Sequence, residues 1–426
     1  MDLSGSRQRK GKAKMAENTK KREDAVTTAP PSDRIKAVGQ VCFYIGLCLE
    51  ILIVILDKSS WMNPVEGQFF RVSFLFFACK VCCTKYSVKE WGAIIFAGVI
   101  AGICYLVSTR DEAVRVVVFC VSMKGVDYKK AMKVVLWGTL AGMAVLAVLA
   151  LAGVLGEVYD AGSAYGFKTE IPRLCLGVGN SNALACMLWA LMTLGIYLYH
   201  KRLRLWHYAC LLAFSVLVYM TTATRTAFLV MAATLFGAML LHYVPKIRQA
   251  KAIYIAAILF VLAEVGFSVY AAHVSDWYEF MPEGAVKIDR VLTGRISSIY
   301  AFENGGGVLE NWKLFGDPDF VEYFDMGYVR LFFWYGIIPG GLCIVMLCLL
   351  IWQCRRQQDY MGFVLTVSFA AYTLVEAHAV SVYIARNYVL LLMGAYWPCM
   401  LCAKAGQEER EAYWWRIYTL AGKRAG

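Results

Sequence analysis

Ile288-Asp289-Arg290-Val291-Leu292-Thr293-Gly294-Arg295, Leu314-Phe315-Gly316-Asp317 and Phe324-Asp325-Met326-Gly327-Tyr328 all fall in one stretch, His273 to Gly341, of an otherwise oily chain. One apolar run ends at Val269-Tyr270 and the next begins at Tyr328-Val329. Roughly fifty residues lie between them, too polar to span a bilayer. This segment must fold in water while its flanks sit in lipid. Chemistry at a membrane surface is expected beneath it.

Working outward, the composition makes the flanks membrane-embedded. Of 426 residues 59% are apolar and 17% charged, against about 45–50% and 25% in a soluble domain. The apolar runs are continuous rather than alternating, which excludes a β-barrel. Only helices and closed barrels satisfy their backbones in lipid, so the expected fold is an all-α integral membrane protein. Membrane-length runs fall near 37–57, 67–84, 92–109, 114–124, 132–155, 174–199, 205–222, 225–244, 252–272, 327–352, 361–381 and 387–404. That predicts about twelve transmembrane helices, with the fourth too short to cross unaided and the long loop, 273–326, between the ninth and tenth.

Charge placement orients the chain. Residues 1–36 hold ten Lys/Arg against five Asp/Glu and few large apolar groups, so they read as a disordered basic cytoplasmic tail without the apolar core of a signal peptide. With that tail inside, the basic loops at Lys124–Lys133, His200–Arg204, Lys246–Lys251 and Arg355-Arg356 also fall inside, as the positive-inside rule asks. The 273–326 loop then lies outside. Its acidic residues outnumber its four basic ones, Lys287, Arg290, Arg295 and Lys313. Residues 37–405 thus form the polytopic domain. Residues 406–426, with Trp414, Trp415 and Tyr418, read as an amphipathic cytoplasmic tail. The formal charge of +12 is membrane anchoring, not a nucleic-acid surface. The fifteen cysteines mostly sit in apolar runs and show no zinc or disulfide framework.

Four clusters reach the outer side of this topology. Arg173 precedes Gly177, Gly179, Asn180 and Asn182 at the start of the sixth span. There the arginine is either an interfacial anchor or a ligand, and the glycines would let backbone approach one closely. Arg225 stands among Thr221, Thr222, Thr224 and Thr226, where a guanidinium is costly unless it meets an anion, and its planar fork suits phosphate. Arg295 is either a loop salt bridge or the second arm of a clamp with Arg225. Asp325 either caps a helix or takes a proton from a sugar hydroxyl. Downstream, Glu376 and His378 end the eleventh span and Asn387 opens the twelfth; a glutamate there is expected to line a cavity. The five histidines lack metal-ligand spacing, and Asp317-Pro318-Asp319 is the one DxD of the loop.

The order of these motifs resembles a known family. Arg-x-x-x-Gly-x-x-Asn-x-Asn at a span start is followed by Thr-x-x-Arg, then Leu-Thr-Gly-Arg and Leu-Phe-Gly in a long loop. Asp-x-x-Tyr and Tyr335-Gly336-Ile337-Ile338-Pro339-Gly340 complete it. Over roughly 170–400 the chain is similar to the O-antigen ligase and polysaccharide polymerase superfamily, closest to the capsule and exopolysaccharide polymerases of Gram-positive bacteria. The resemblance implies a GT-C-like membrane glycosyltransferase that needs no metal or other cofactor. Its donor would be an undecaprenyl-pyrophosphate-linked oligosaccharide, on the outer leaflet of the plasma (inner) membrane, with a chain-length regulator and a repeat-unit flippase as partners.

By the same resemblance Arg225 and Arg295 hold the pyrophosphate, assisted by Arg173. Asp325, Glu376 and His378 are the catalytic candidates, and Asn180, Asn182, Asn387 and Tyr328 are candidates for sugar binding. The ligase branch carries a histidine where this chain has Asp325, which favours polymerase over ligase and leaves the base and the stereochemistry open. The alternatives are a ligase acting on another acceptor, and a lipid-linked-sugar flippase. A flippase would need paired ionisable groups at mid-span, whereas Glu50, Lys80 and Glu264 are scattered.

Overall fold

The computed structural model describes residues 33–61, 63–160, 172–276, 280–300, 306–318, 324–379 and 383–401. The tails expected at 1–36 (apart from its last four residues) and 406–426 lie outside them. The chain is an all-α membrane protein. Among the described residues eight helices are long and apolar enough to cross a bilayer, and the strands amount to one two-residue antiparallel pair.

The first half runs α1 (Asp33–Lys58), α2 (Glu66–Cys82), α3 (Val88–Ser108), α4 (Glu112–Ser122) and α5 (Tyr128–Leu151). The pair β1 (Tyr159–Asp160) and β2 (Arg173–Leu174) follows, then α6 (Ser181–Tyr199) and α7 (Leu205–Thr222). Next come α8 (Arg225–Tyr243), the short α9 (Pro245–Gln249) and α10 (Lys251–Ser275). The segment between α10 and the next long helices contributes α11 (Glu283–Val291) and α12 (Ser297–Tyr300). The last helices are α13 (Gly327–Tyr335), α14 (Ile337–Arg356), α15 (Tyr360–Thr373) and α16 (Val389–Leu401). Local sequence starts several of them. Ser87 and Glu90 form a reciprocal capping box for α3, Asp127 accepts two amides of α5, and Asn180 accepts Ala183 N–H at the start of α6.

Three expectations change. The tenth span, 327–352, is two helices. Gly336 adopts φ +95° between them, and a β-carbon there would collide with Phe315, Gly316 and Leu314. The Leu314-Phe315-Gly316 segment passes directly across the break, and only glycine leaves room for it. The long loop begins later than position 273, because α10 continues to Ser275, and it is partly helical. The basic tail gives way to helix at Asp33 rather than after Lys36.

Contacts sort the bundle into two ends. At one, Gln40 Nε2 donates to Gly125 O, Lys124 pairs with Glu90 at 2.7 Å, and Asp359 accepts the hydroxyls of Tyr197 and Tyr396. Arg248 lies over Tyr360 and Lys251 over Trp352 at the same end. We call this the basic end. The opposite, loop end carries Lys58, Arg173, Arg225 and residues 280–300 and 306–318.

Apart from α9 and α11–α13, three helices are shorter than the rest. α4, α15 and α16 have 11, 14 and 13 residues; at 1.5 Å per residue they are about 16, 21 and 20 Å long, against a hydrocarbon core of about 30 Å. α16 packs on both of the others. Between α15 and α16 the described residues, 374–379 and 383–388, are mostly irregular, with one 3₁₀ turn at Ile384–Arg386. They are also largely buried: Val375, His378, Ile384, Ala385, Asn387 and Tyr388 are each less than a tenth exposed. Irregular backbone at membrane depth is tolerated only inside protein or against a water-filled cavity. The loop end is therefore sunk into the bundle where these helices stop.

Candidate functional site

Ser368 on α15 joins three helices. Its hydroxyl accepts Trp189 Nε1–H of α6 at 3.0 Å and lies 2.6 Å from Thr234 Oγ1 of α8. From this common level Arg225 lies about two and a half turns along α8, Asn182 about two turns along α6 and Thr373 about one and a half along α15. Arg173 ties the first two together. Its Nε donates to Thr222 O at 2.8 Å, and its Nη2 donates to Asn182 Oδ1 at 2.8 Å and Thr224 Oγ1 at 3.3 Å. The guanidinium thereby braces the left-handed turn at Ala223, φ +53°, from which Arg225 projects, exposed, as the first residue of α8. Arg173 is engaged with protein on these two nitrogens.

Arg295 arrives from the segment between α10 and α13. Asp289 Oδ1 accepts Ile296 N–H and Ser297 N–H, folding α11 back through Thr293 and Gly294, at φ +59° and +83°. That turn sends the Arg295 side chain inward, where it is 7% exposed. Nε donates to Val375 O at 2.8 Å, Nη1 to Leu292 O and Thr293 Oγ1, and Nη2 to Glu376 Oε1 at 3.0 Å. Asp325 Oδ2 lies 3.9 Å from Nε, on a side chain 57% exposed. One guanidinium thus sits between a sunken carboxylate and a wet one. Burial, with the neighbouring Asp325 charge as second cause, lifts Glu376 to about 7 against the opposing pull of Arg295 and Arg386. Glu376 can therefore gain or lose a proton near neutrality.

Of the sequence candidates, Arg295, Asp325 and Glu376 come together, and Arg173, Asn182 and Arg225 form a second group at the same end. Asn180 is exposed and caps α6. Gly177 packs on Leu146 and Ala150 of α5, so its close approach is to a helix. Tyr328 stands apart: it is 1% exposed, with its hydroxyl donating to Glu264 Oε2 and Ala370 O inside the bundle. Glu50, Lys80 and Glu264 are separate, with Glu50 accepting Ser73 Oγ–H and Lys80 donating to Thr84 and Lys124 O. Asp319 of the DxD lies outside the described residues.

His378 and Asn387 mark a part of the site that the motifs did not join. His378 is 2% exposed, stacks on Trp189 with ring centroids 5.0 Å apart and meets the Tyr372 ring at 4.5 Å. Burial and the Arg386 charge hold it well below the usual imidazole range, so it is neutral. Its Nδ1 lies 3.3 Å from Cys186 Sγ, to which Arg386 Nη2 donates at 3.0 Å. Arg386 and Cys186 escaped the sequence reading. Arg386 could have been found by the argument applied to Arg225, a lone cation between two apolar runs. Cys186, within a greasy run, gave no signal. Around this contact His378 Nε2, Arg386 Nε, Asn387 Oδ1 and the Tyr372 hydroxyl are buried and meet no hydrogen-bond partner among the described residues. Each such atom costs about 1–3 kcal/mol, so four in one neighbourhood rival the stability of a whole domain, about 5–15 kcal/mol.

Comparison with protein-family models, with curated proteins and with solved structures finds no match.

Proposed function

We propose that the chain is a polysaccharide polymerase of the cell membrane, with twelve crossings, both termini cytoplasmic and the loop end facing out. It transfers a glycan from a polyprenyl-diphosphate donor to a lipid-linked repeat-unit acceptor. The observation that carries this reading is the convergence of Arg295, Glu376 and Asp325 at the end where Arg225 projects. A diphosphate on a lipid tail stays at the interface, at the depth expected of arginines at helix starts. Arg225 and Arg295 would neutralise the charge that grows on the departing diphosphate, with Arg173 holding the Arg225 turn. Glu376 accepts the proton of the attacking hydroxyl, and Asp325 acts on it through Arg295. The motif order described above and the basic residues gathered at the opposite end support the assignment and its orientation.

Arg225→Ala or Arg295→Ala should abolish polymer while single lipid-linked repeats accumulate. Normal chain length in both variants would end this reading.

A further inference from the structure

At the basic end, remote from the Arg295 cluster, an open groove of about 870 Å³ runs along α1 beside the start of α5. That volume lies within the usual range of ligand sites, about 300–1,000 Å³. The floor is apolar: Val41, Tyr44, Ile45, Cys48, Leu49 and Leu52 recur at the three- and four-residue spacing of one helix face. The head is polar, formed by Gln40, Gly125, Asp127 and Lys130. We propose that this groove binds an anionic phospholipid of the leaflet at the basic end, with an acyl chain along α1 and the phosphate at Lys130.

Depth, exposure and charge each favour that occupant. From Val41 to Leu52 the floor covers about 16 Å of helix, half of a hydrocarbon core of about 30 Å. A chain entering at the polar head therefore reaches the middle of the bilayer. There the lining stops, next to where Ile51 and Ile55 close on Gly138 and Gly142 of α5; a β-carbon on Gly142 would collide with Ile55. Val41, Ile45 and Leu52 are 57%, 40% and 44% exposed, so the floor opens outward to lipid. At the head, Lys130 Nζ lies 5.3 Å over the Tyr44 ring, which carries the cation from α5 across to the α1 face. Asp127 Oδ1 accepts Lys129 N–H and Lys130 N–H, so its charge is turned to the start of α5. Lys129 and Lys133 flank Lys130 and are exposed, leaving the head net positive, as an anionic headgroup requires. A free anion would fit the head and leave the floor bare. A second copy packed face to face would bring its own lysines against these.

Native mass spectrometry of the full-length protein in detergent, titrated with dioleoyl phosphatidylglycerol or dioleoyl phosphatidylcholine, tests the site. The first phosphatidylglycerol should bind about fivefold more tightly than phosphatidylcholine, and Lys130→Gln should remove most of that preference, the contribution of one lysine at an anionic lipid surface. Lys201→Gln, the same charge change in the exposed turn His200–Arg202, should keep it. Cys48→Trp fills the floor and should weaken the first site for both lipids about tenfold, since losing contact with about two methylenes suffices for that. Ile45→Trp is the second filling variant, should Cys48→Trp not fold. Equal binding of the two lipids by the wild type, an equal loss in Lys130→Gln and Lys201→Gln, or unchanged binding in the tryptophan variants would overturn the site. A dimer that the tryptophan variants dissolve would also overturn it, by giving the groove to a second copy.

The site does not rest on the polymerase reading. Polymer made or lost by Arg225→Ala and Arg295→Ala, at the other end of the bundle, leaves these outcomes as they are, so the two stand or fall separately.

Discussion

The two ends of the bundle use charge differently. At the basic end several ionisable groups are matched to structural tasks, although Arg355 Nε and His242 Nδ1 there are buried without a partner among the described residues. Asp359 caps α15 through Gly362 N–H and accepts two tyrosine hydroxyls, and Lys124 closes the capping box of Glu90. At the loop end charges are buried where matching is incomplete: Arg295 is shared between two carboxylates, and the Arg386 neighbourhood leaves donors and acceptors unmet. Fully matched groups make a rigid anchor. Unmet ones keep free energy available for a ligand, which is how a binding site differs from a brace.

Substitutions can break that contrast. The largest effect is expected for Arg295→Ala, with polymer formation falling by about 10²–10³-fold as for loss of one transition-state donor, and further if the Val375 and Leu292 ties also fail. An active Arg295→Ala enzyme would erase the distinction between the ends. Glu376→Gln should lose about 10²-fold or more, the usual contribution of a general base. In the wild type the rate should fall as pH drops through about 7. Asp325→Asn removes a charge that raises Glu376, so its inflection should move to lower pH. A pH–rate profile unchanged in Asp325→Asn would disconnect the two carboxylates.

Stability sharpens the same comparison more gently. Glu376 sits above the ordinary carboxylate value, about 4.3 when unfolded, so the folded state binds its proton more tightly. The associated stability is present below about pH 4 and is lost as pH rises toward and through 7, up to about 3 kcal/mol in all. Thermal unfolding of Glu376→Gln should lack that component. At the basic end, Asp359→Asn should cost about 1–3 kcal/mol with little change in KM or kcat per folded molecule. Lys130→Gln, which removes a cation stacked 5.3 Å over Tyr44, should change stability by no more than about 0.5–1 kcal/mol.

Much of this was legible in the sequence. Continuous apolar runs gave the helices, but the starts of three of them were set by polar caps, Ser87, Asp127 and Asn180, that hydropathy does not place. Glu376 stood out because charge beside hydrocarbon is costly, and Arg295 and Asp325 through the order of the motifs that hold them. What stayed hidden depended on distance along the chain. Cys186 meets Arg386 200 residues away, and no local pattern records such a pairing. The break at Gly336 was masked because an apolar run reads the same whether continuous or folded against another segment. Tyr328, close to Asp325 in the motif, turns into the bundle because it lies within α13, whereas Asp325 stands before the helix.

That break has a further consequence. The first two amides of α14 donate to the segment between α10 and α13, Ile337 N–H to Lys313 O at 2.9 Å and Ile338 N–H to Leu314 O at 3.1 Å. A long apolar helix therefore borrows its cap from the loop that precedes it. The loop is a component of the bundle rather than a detachable module. Expressed alone it would lack the surface it closes against, and without it α14 would insert with bare amides at its head.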